Sequence, residues 1–579
     1  IKPPAMARPP HVLLIVADDL PRNVLKSYGA SHGLTPNLDA IGGAGLTFER
    51  AYTTAPLCTP SRYALLTGRY ASTASLGGRY TKPPAQIAFQ AYLSRKQNVS
   101  TLAAVMRRGG YLAGFVGKYH IGRALQPAEC LPLVSGPNAS LALAAASSTE
   151  VGGGRSPVCA PTADHWQACA RAALKKHSGF EFVADVYFGN DALTAWAHEP
   201  EWMAHEALRM VRRARERRRP FFVVLAPTLT HAPLEPHHQL LAPPRAAPPG
   251  CDDPPPPTAV PSGFAAAARR LRLEVVRRLR TGGLLCGGDD GSAKELQQCA
   301  EDSLPEVGTL LAFEPWLPAE WFRGGSSVQR NFRRHVATTV SAAAWLDATL
   351  QPVLDELKEK GELESTVTIF TADHGAFFAG KGHPYEAGIR VPLLLRWPRG
   401  LGDAPRNVYE RVSHLDVLPT LAELAGVSLD GAGFPGRSFA RLLRAPQPAA
   451  AAEAPLFVEV GFSRTVVVDG WKLILVLPPP ELATAAGGCA SFHGQPLPPP
   501  NASSGSTDGP RLHAKFVYDG LDRHGAHYCE PVQLYDTARD PAEQTNVAEH
   551  HPERVATLRA MIERHIAETE GSKAQHPKA

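Results

Sequence analysis

Cys58 is followed by Thr59, Pro60, Ser61 and Arg62, which sets a thiol beside a guanidinium where a helix would begin. Pro60 suits the first turn, Tyr63, Ala64, Leu65 and Leu66 continue it, and Gly68 would stop it. Such a helix start favours negative charge, because free N–H groups and the positive end of the dipole point outward. Arg62 adds a planar donor fork matched to sulfate or phosphate oxygens. The stretch therefore predicts an oxyanion site with a cysteine inside it. The competing reading is a structural or disulfide cysteine ahead of a helix.

Titratable residues also stand at the downstream ends of apolar runs. Residues 11–17, rich in Val, Ile and Leu, predict a buried parallel strand that ends in Asp18 and Asp19. Residues 113–116 lead to Lys118 and His120, residues 221–226 to His231, and residues 367–370 to Asp373 and His374. Helix-like stretches at 100–108, 198–217 and 328–360 alternate with these runs, the pattern of a doubly wound α/β sheet. Open α/β sheets build their sites at the carboxyl ends of the strands, so these ends should converge. Asp18 and Asp19 read either as a cation site or as a helix N-cap with a solvated neighbour. A lone Lys or His at a loop reads as functional or as solvated, and the coincidence at all four strand ends favours a site.

Cys58-Thr59-Pro60-Ser61-Arg62 with Leu66-Thr67-Gly68-Arg69 resembles the signature of the type I sulfatases, in the alkaline phosphatase superfamily. Ala17-Asp18-Asp19-Leu20, Gly117-Lys118-Tyr119-His120, Thr230-His231-Ala232-Pro233 and Ala372-Asp373-His374-Gly375 resemble further sulfatase elements in the same chain order. Gly388-Ile389-Arg390-Val391-Pro392 continues the last of them. The resemblance implies an α/β fold, alkaline-phosphatase-like, with a large mixed, mostly parallel sheet flanked by helices. It also implies a smaller C-terminal α+β domain containing an antiparallel sheet and one helix, marked by Leu534-Tyr535-Asp536 and Asp540-Pro541.

The same resemblance implies a chemistry. Cys58 would be oxidised to formylglycine by a formylglycine-generating enzyme, and one hydroxyl of the aldehyde hydrate would attack sulfur while the other expels sulfate. Arg62 and Lys118 would hold and activate this nucleophile, His120 would assist the second step, and His231 with Lys381 would grip sulfate and protonate the leaving alcohol. Lys381 is placed by its spacing to Tyr385 and Glu386, with His383 as a rival. Asp18, Asp19, Asp373, His374 and the converted Cys58 would bind Ca2+, with Mg2+ or Mn2+ behind it. Hard cations prefer carboxylate oxygens, although an imidazole is not the ligand calcium prefers.

The remaining composition narrows the class. With 60 Lys and Arg against 55 Asp and Glu, the net charge of +5 is too mild over 579 residues to argue for nucleic acid. No apolar run reaches the length of a transmembrane span. Nine cysteines leave eight once Cys58 is set aside, an even number that could pair fully in any of 105 ways. Cys159 with Cys169, Cys286 with Cys299, and Cys489 with Cys529 are the short-range candidates. Asn-x-Ser sequons at Asn98, Asn138 and Asn501 suit a glycoprotein. The expected address is secreted, lumenal in the secretory or lysosomal pathway, or periplasmic, and the Ile-Lys-Pro-Pro start is expected to be a processed one.

Residues 1–445 are expected to form the catalytic domain, with insertions at about 126–163 and 243–303, and residues 446–579 the C-terminal one, joined through a Pro- and Ala-rich linker. The arginine-rich run 212–219 reads as a solvated helix face or, less simply, as a surface for a sulfated polymer. Hydrolysis of a sulfate monoester, aryl or carbohydrate, is the expected activity. The alternatives are a phosphate or phosphonate monoester hydrolase of the same superfamily and a non-catalytic sulfoglycan-binding protein.

Overall fold

The computed structural model describes residues 9–31, 33–74, 100–121, 162–187, 200–231, 264–281, 327–375, 380–402, 405–429, 433–443, 453–461, 463–477 and 530–571. The three sequons, most of both insertions and the linker at 444–452 lie outside the described residues. Among the described side chains Cys58 is a free, buried cysteine. The expected disulfide pairs lie outside them.

An eight-stranded sheet forms the centre, in the order β5-β4-β6-β1-β7-β8-β2-β9. In chain order these are β1 (His11–Ala17), β2 (Leu46–Phe48), β4 (Leu112–Lys118), β5 (Phe182–Tyr187), β6 (Phe221–Ala226), β7 (Thr366–Ala372), β8 (Leu393–Arg396) and β9 (Arg406–Val408). β5, β4, β6, β1 and β7 run parallel, while β8 pairs antiparallel with both β7 and β2. The sheet is thus mixed and mostly parallel, as expected from the sequence. β3 (Ala51–Tyr52) and β10 (Val412–Ser413) form a short parallel pair beside it.

The central strands are apolar throughout because helices cover both faces of the sheet. Leu13, Ile15 and Ala17 of β1 face one core with helices Pro200–Glu216 and Ser327–Glu359, while Val12, Leu14 and Val16 face the other with Leu102–Arg108 and Val417–Leu424. Thr101 caps the Leu102–Arg108 helix by accepting from the N–H of Ala104. Each buried Val, Leu or Ile contributes about 1.5–3 kcal/mol, so the four central strands are a rigid base for whatever their ends carry.

A second, four-stranded antiparallel sheet joins β11 (Leu456–Val460), β12 (Ser463–Val468), β13 (Trp471–Val476) and β14 (Val532–Asp536). Its outer face buries Leu558 and Ile562 of the Pro552–Gly571 helix. Leu456, Val458 and Val467 pack against Tyr52 and Ile389 of the larger unit. Among the described residues no helix is long and apolar enough to cross a membrane.

Candidate active site

The strands that deliver the expected residues lie side by side, as β4, β6, β1 and β7. Lys118 is the last residue of β4, Asp18 and Asp19 follow β1, His231 follows β6, and Asp373 and His374 follow β7. Gly117 precedes Lys118 at φ +109°, where a Cβ would strike the Ala226 carbonyl of β6. Only glycine permits that approach, and it turns the end of β4 toward its neighbour. Asp19 and His120 themselves take left-handed backbone angles, φ +59° and +48°, a strained state that clusters at functional sites.

Cys58 opens a helix that runs to Thr67 and ends on Gly68 at φ +64°. No side chain caps its first turn. Arg62, one turn in, does not offer its fork to a free anion. Its Nε donates to Asp373 Oδ2 at 2.9 Å, Nη1 to the Lys118 carbonyl at 2.8 Å and Nη2 to Asp18 Oδ1 at 3.2 Å. Lys118 Nζ donates to the other oxygen of Asp18 at 2.5 Å and lies 3.9 Å from Cys58 Sγ.

Around the thiol the partners change from carboxylates to imidazoles and a second lysine. His374 Nε2 lies 3.2 Å from Cys58 Sγ and 3.0 Å from Asp19 Oδ1, while its Nδ1 meets the Gly375 carbonyl at 2.9 Å. Lys381 Nζ donates to Asp19 Oδ2 at 2.9 Å and to His231 Nε2 at 2.9 Å. His231 therefore accepts through Nε2 and carries its proton on Nδ1. The segment holding Lys381 is clamped by backbone packing, since the Gly375 N–H donates to the Gly388 carbonyl and a Cβ on Gly388 would strike the Gly380 carbonyl.

Asp18, Asp19, Asp373 and His374 are at most 2 % exposed, so burial and neighbouring charge set their protonation. Burial pushes Asp18 and Asp19 up, but Lys118 and Arg62 for the first, and Lys381 and His374 for the second, hold both well below the usual carboxylate range. Burial raises Asp373 against the pull of His374 and Arg62. Burial lowers His231 to about 3, reinforced by Lys118 and Lys381. His120 is driven down by burial and then by Lys118, and its buried Nδ1 has no hydrogen-bond partner among the described residues. His374 goes the other way: burial opposes its charge, but Asp373 and Asp19 raise it well above the ordinary histidine value.

Those carboxylates and the thiol favour positive charge at one point, whether from a proton or a metal cation. Ligand atoms of Asp19, Cys58 and His374 lie within 4.8 Å of one another, as do those of Asp18, Cys58 and Asp373. Buried carboxylates in both groups suit a hard divalent cation, and the Nδ1 bond of His374 to a backbone carbonyl is the outer contact that orients a ligating imidazole.

Sequence reasoning missed the supports beneath this cluster. Ser61 donates to the Asp373 carbonyl, accepts from Thr53 at 2.8 Å and meets His414 Nδ1 at 3.2 Å, while His414 Nε2 meets Thr371 at 3.2 Å. Ser61 lies inside the Cys58-Thr59-Pro60-Ser61-Arg62 motif, yet nothing in the sequence points to His414. Glu386, Lys472 and Glu543 form a second buried charge cluster, joining the Lys381 segment to the small sheet.

Fold and cluster together define a mixed, mostly parallel α/β protein of the alkaline-phosphatase-like kind, with a buried ionic cluster at the carboxyl edge of its sheet. The sulfatase family model matches residues 10–427. The chain belongs to the sulfatase family and is a type I sulfatase. Human arylsulfatase A is 26% identical over 566 residues, covering 94% of this chain and 84% of that one. The N-acetylgalactosamine-6-O-sulfatase of Bacteroides thetaiotaomicron is 22% identical over 585 residues, covering 96% and 92%. Among solved structures, yidJ from Bacteroides fragilis superposes with a TM-score of 0.58 at 17% identity over the whole of both chains, a likeness of fold.

Proposed function

We propose that this chain hydrolyses a sulfate monoester to an alcohol and inorganic sulfate, and that the reacting group is a formylglycine made from Cys58. The observation that carries the reading is the convergence on position 58 of Lys118, His374 and the Asp19–Lys381–His231 chain, drawn from strands far apart in sequence. The hydrated aldehyde supplies two hydroxyls on one carbon, one to attack sulfur and one whose deprotonation releases sulfate. Sulfate ester cleavage needs charge neutralised on the transferring group and a proton for the departing oxygen.

Within that scheme Lys118, 3.9 Å from the side chain at position 58, holds positive charge beside the nucleophile. Arg62 acts through its carboxylate partners, fixing Asp18 and Asp373 rather than gripping the ester. His120, whose buried Nδ1 has no partner among the described residues, accepts the proton when sulfate leaves. Lys381 and His231 would grip sulfate and protonate the leaving alcohol, and Lys381 bears the proton shared along that pair. Asp18, Asp19, Asp373, His374 and the residue at 58 would hold the cation, calcium before magnesium or manganese, which would supply charge neutralisation at the sulfate oxygens.

Maturation would require a formylglycine-generating enzyme, and the eight remaining cysteines with three sequons suit an oxidising compartment. The names of the relatives cover aryl and carbohydrate esters alike, and either fits the cluster. Matched aryl sulfate and aryl phosphate test the reading. Turnover of the sulfate that is lost in Cys58→Ala supports it, whereas preferential phosphate turnover indicates a phosphomonoester hydrolase of the same superfamily.

A further inference from the structure

The edge of the sheet opposite the site is strongly basic. Helices Leu102–Arg108, Thr162–His177 and Pro200–Glu216 each end just before a parallel strand, β4, β5 and β6 respectively. Because those strands are neighbours, the helix ends gather at the amino edge, on the order of 20 Å from the site by strand length. Arg219 ties the junctions together: it donates to the carbonyls of Gly110 and Tyr111 before β4 and to Glu181 before β5. Arg107 reaches the same Glu181 at 3.5 Å.

The arginine run of 212–219 is divided in its duties. Arg212 and Arg215 are neutralised by Glu356 and Glu362, and Arg219 by Glu181. Arg213, Arg217 and Arg218 are exposed and have no carboxylate partner among the described residues. Arg108, Lys175 and Lys176, on the two neighbouring helix ends, are exposed in the same state. Partial burial and then the charges of Arg171, on the same helix, and Arg213, on the Pro200–Glu216 helix, lower the Lys175 ammonium, so two of these helices bring cations within reach of each other.

Cations at helix C-termini gain about 0.3–1 kcal/mol from the dipole, which accounts for one or two per helix and not for six exposed cations without a carboxylate partner among the described residues at three neighbouring helix ends. Glu216 is the one exposed acid on the last turns of these helices. The large exposed apolar side chains among the described residues, Leu273, Tyr409 and Leu477, lie on other elements. Among the described residues the rim therefore lacks the apolar wedge of a membrane-inserting face and the aromatic platform that stacks nucleic-acid bases.

We propose that this rim is a docking surface for a sulfated polysaccharide, separate from the catalytic cluster and engaging a stretch of the polymer that is not being hydrolysed. It deepens the reading of the chain as a sulfate ester hydrolase and rests on it for the choice of polyanion. A polymer held at two places gains effective concentration at the second, so the rim raises the affinity for long chains and leaves small esters untouched.

The test uses the full chain and heparin as the probe, comparing wild type with Lys175→Gln/Lys176→Gln/Arg213→Gln/Arg217→Gln. Gln keeps helix propensity, so the fold is preserved, and the double variant Arg213→Gln/Arg217→Gln provides a milder step. The quadruple variant is expected to leave a heparin matrix at lower salt, with the slope of log K against log salt reduced by about 3 and by roughly half that in the double variant. Its turnover of a small aryl sulfate should equal that of wild type. Unchanged elution and slope would overturn the proposal, as would retention on anionic-lipid vesicles without retention on heparin. Absence of aryl sulfate turnover in wild type would count against the hydrolase reading instead, because heparin binding is measured without it.

Discussion

Arg62 Nε donates to Asp373 Oδ2 at 2.9 Å, joining the helix that begins at Cys58 to the end of β7. Arg62 Nη2 reaches Asp18 at the end of β1, so one guanidinium spans two carboxylates from adjacent strands. Removing one partner of a buried ionic group leaves uncompensated charge and costs about 3–5 kcal/mol. Arg62→Ala should therefore lower stability by that order in chemical denaturation and abolish turnover. Arg62→Lys should fail nearly as badly, because an ammonium cannot reproduce the planar fork. Wild-type stability in either variant would mean that the bridge does not organise the site.

Cys58 belongs to two groups of candidate ligands, one with Asp19 and His374 and one with Asp18 and Asp373. Tight chelation is expected to reduce aryl sulfate turnover and to lower the thermal midpoint together, with calcium restoring both more fully than magnesium. Scanning calorimetry and steady-state rates on the same sample check this. Insensitivity of both to a tight chelator would contradict the cation assignment.

Lys472 Nζ lies 2.8 Å from Glu386 and 2.6 Å from Glu543, and Glu543 also accepts from the N–H of Glu386 at 2.7 Å. Burial raises Glu543 to about 7, whereas Lys472 and Arg390 overcome burial and lower Glu386. Lys472→Met should cost about 3–5 kcal/mol and reduce kcat by loosening the segment that carries Lys381. Lys472→Met/Glu386→Gln should cost less than the sum of the single changes, as residues sharing one network do. Strict additivity would separate Lys472 from Glu386.

Glu459 accepts from Ser72 and lies 3.0 Å from His565, fastening β11 and the last helix to the larger unit. Burial pushes its carboxyl up, but the His565 hydrogen bond and charge outweigh this, and its folded pKa falls below the ordinary 4.5. A carboxyl lowered in this way contributes stability above its unfolded value, which is lost as the pH falls through the folded one. Urea titrations between about pH 5 and pH 3 should show stability falling more steeply with acid in wild type than in Glu459→Gln. Parallel curves would show that Glu459 has no such linkage.

What the sequence disclosed followed from how local each signal is. β1, β6 and β7 were legible as continuous apolar runs because buried parallel strands need no polar face, and Cys58 and Arg62 stood in one uninterrupted motif. β4 and β7 extend beyond the apolar runs 113–116 and 367–370, to Leu112–Lys118 and Thr366–Ala372, because Gly117 interrupts the apolar pattern of the first and threonines flank that of the second. β5 was missed, its edge position leaving a weak run, and the antiparallel placement of β8 between β7 and β2 carries no local mark. Arg62 illustrates the deeper limit: its residue type suited an external anion, and only the strand order revealed Asp18 and Asp373 as its partners. Glu386 and Lys472 are 86 positions apart, which is why neither their charge nor their spacing announced the pair.

The account depends above all on the chemical state of residue 58. The mass of the tryptic peptide spanning residues 51–62, taken from enzyme that turns over aryl sulfate, tests it most directly. An aldehyde in place of the thiol, in proportion to specific activity, is the result the account predicts. Full activity in enzyme whose peptide carries only unmodified cysteine would contradict it.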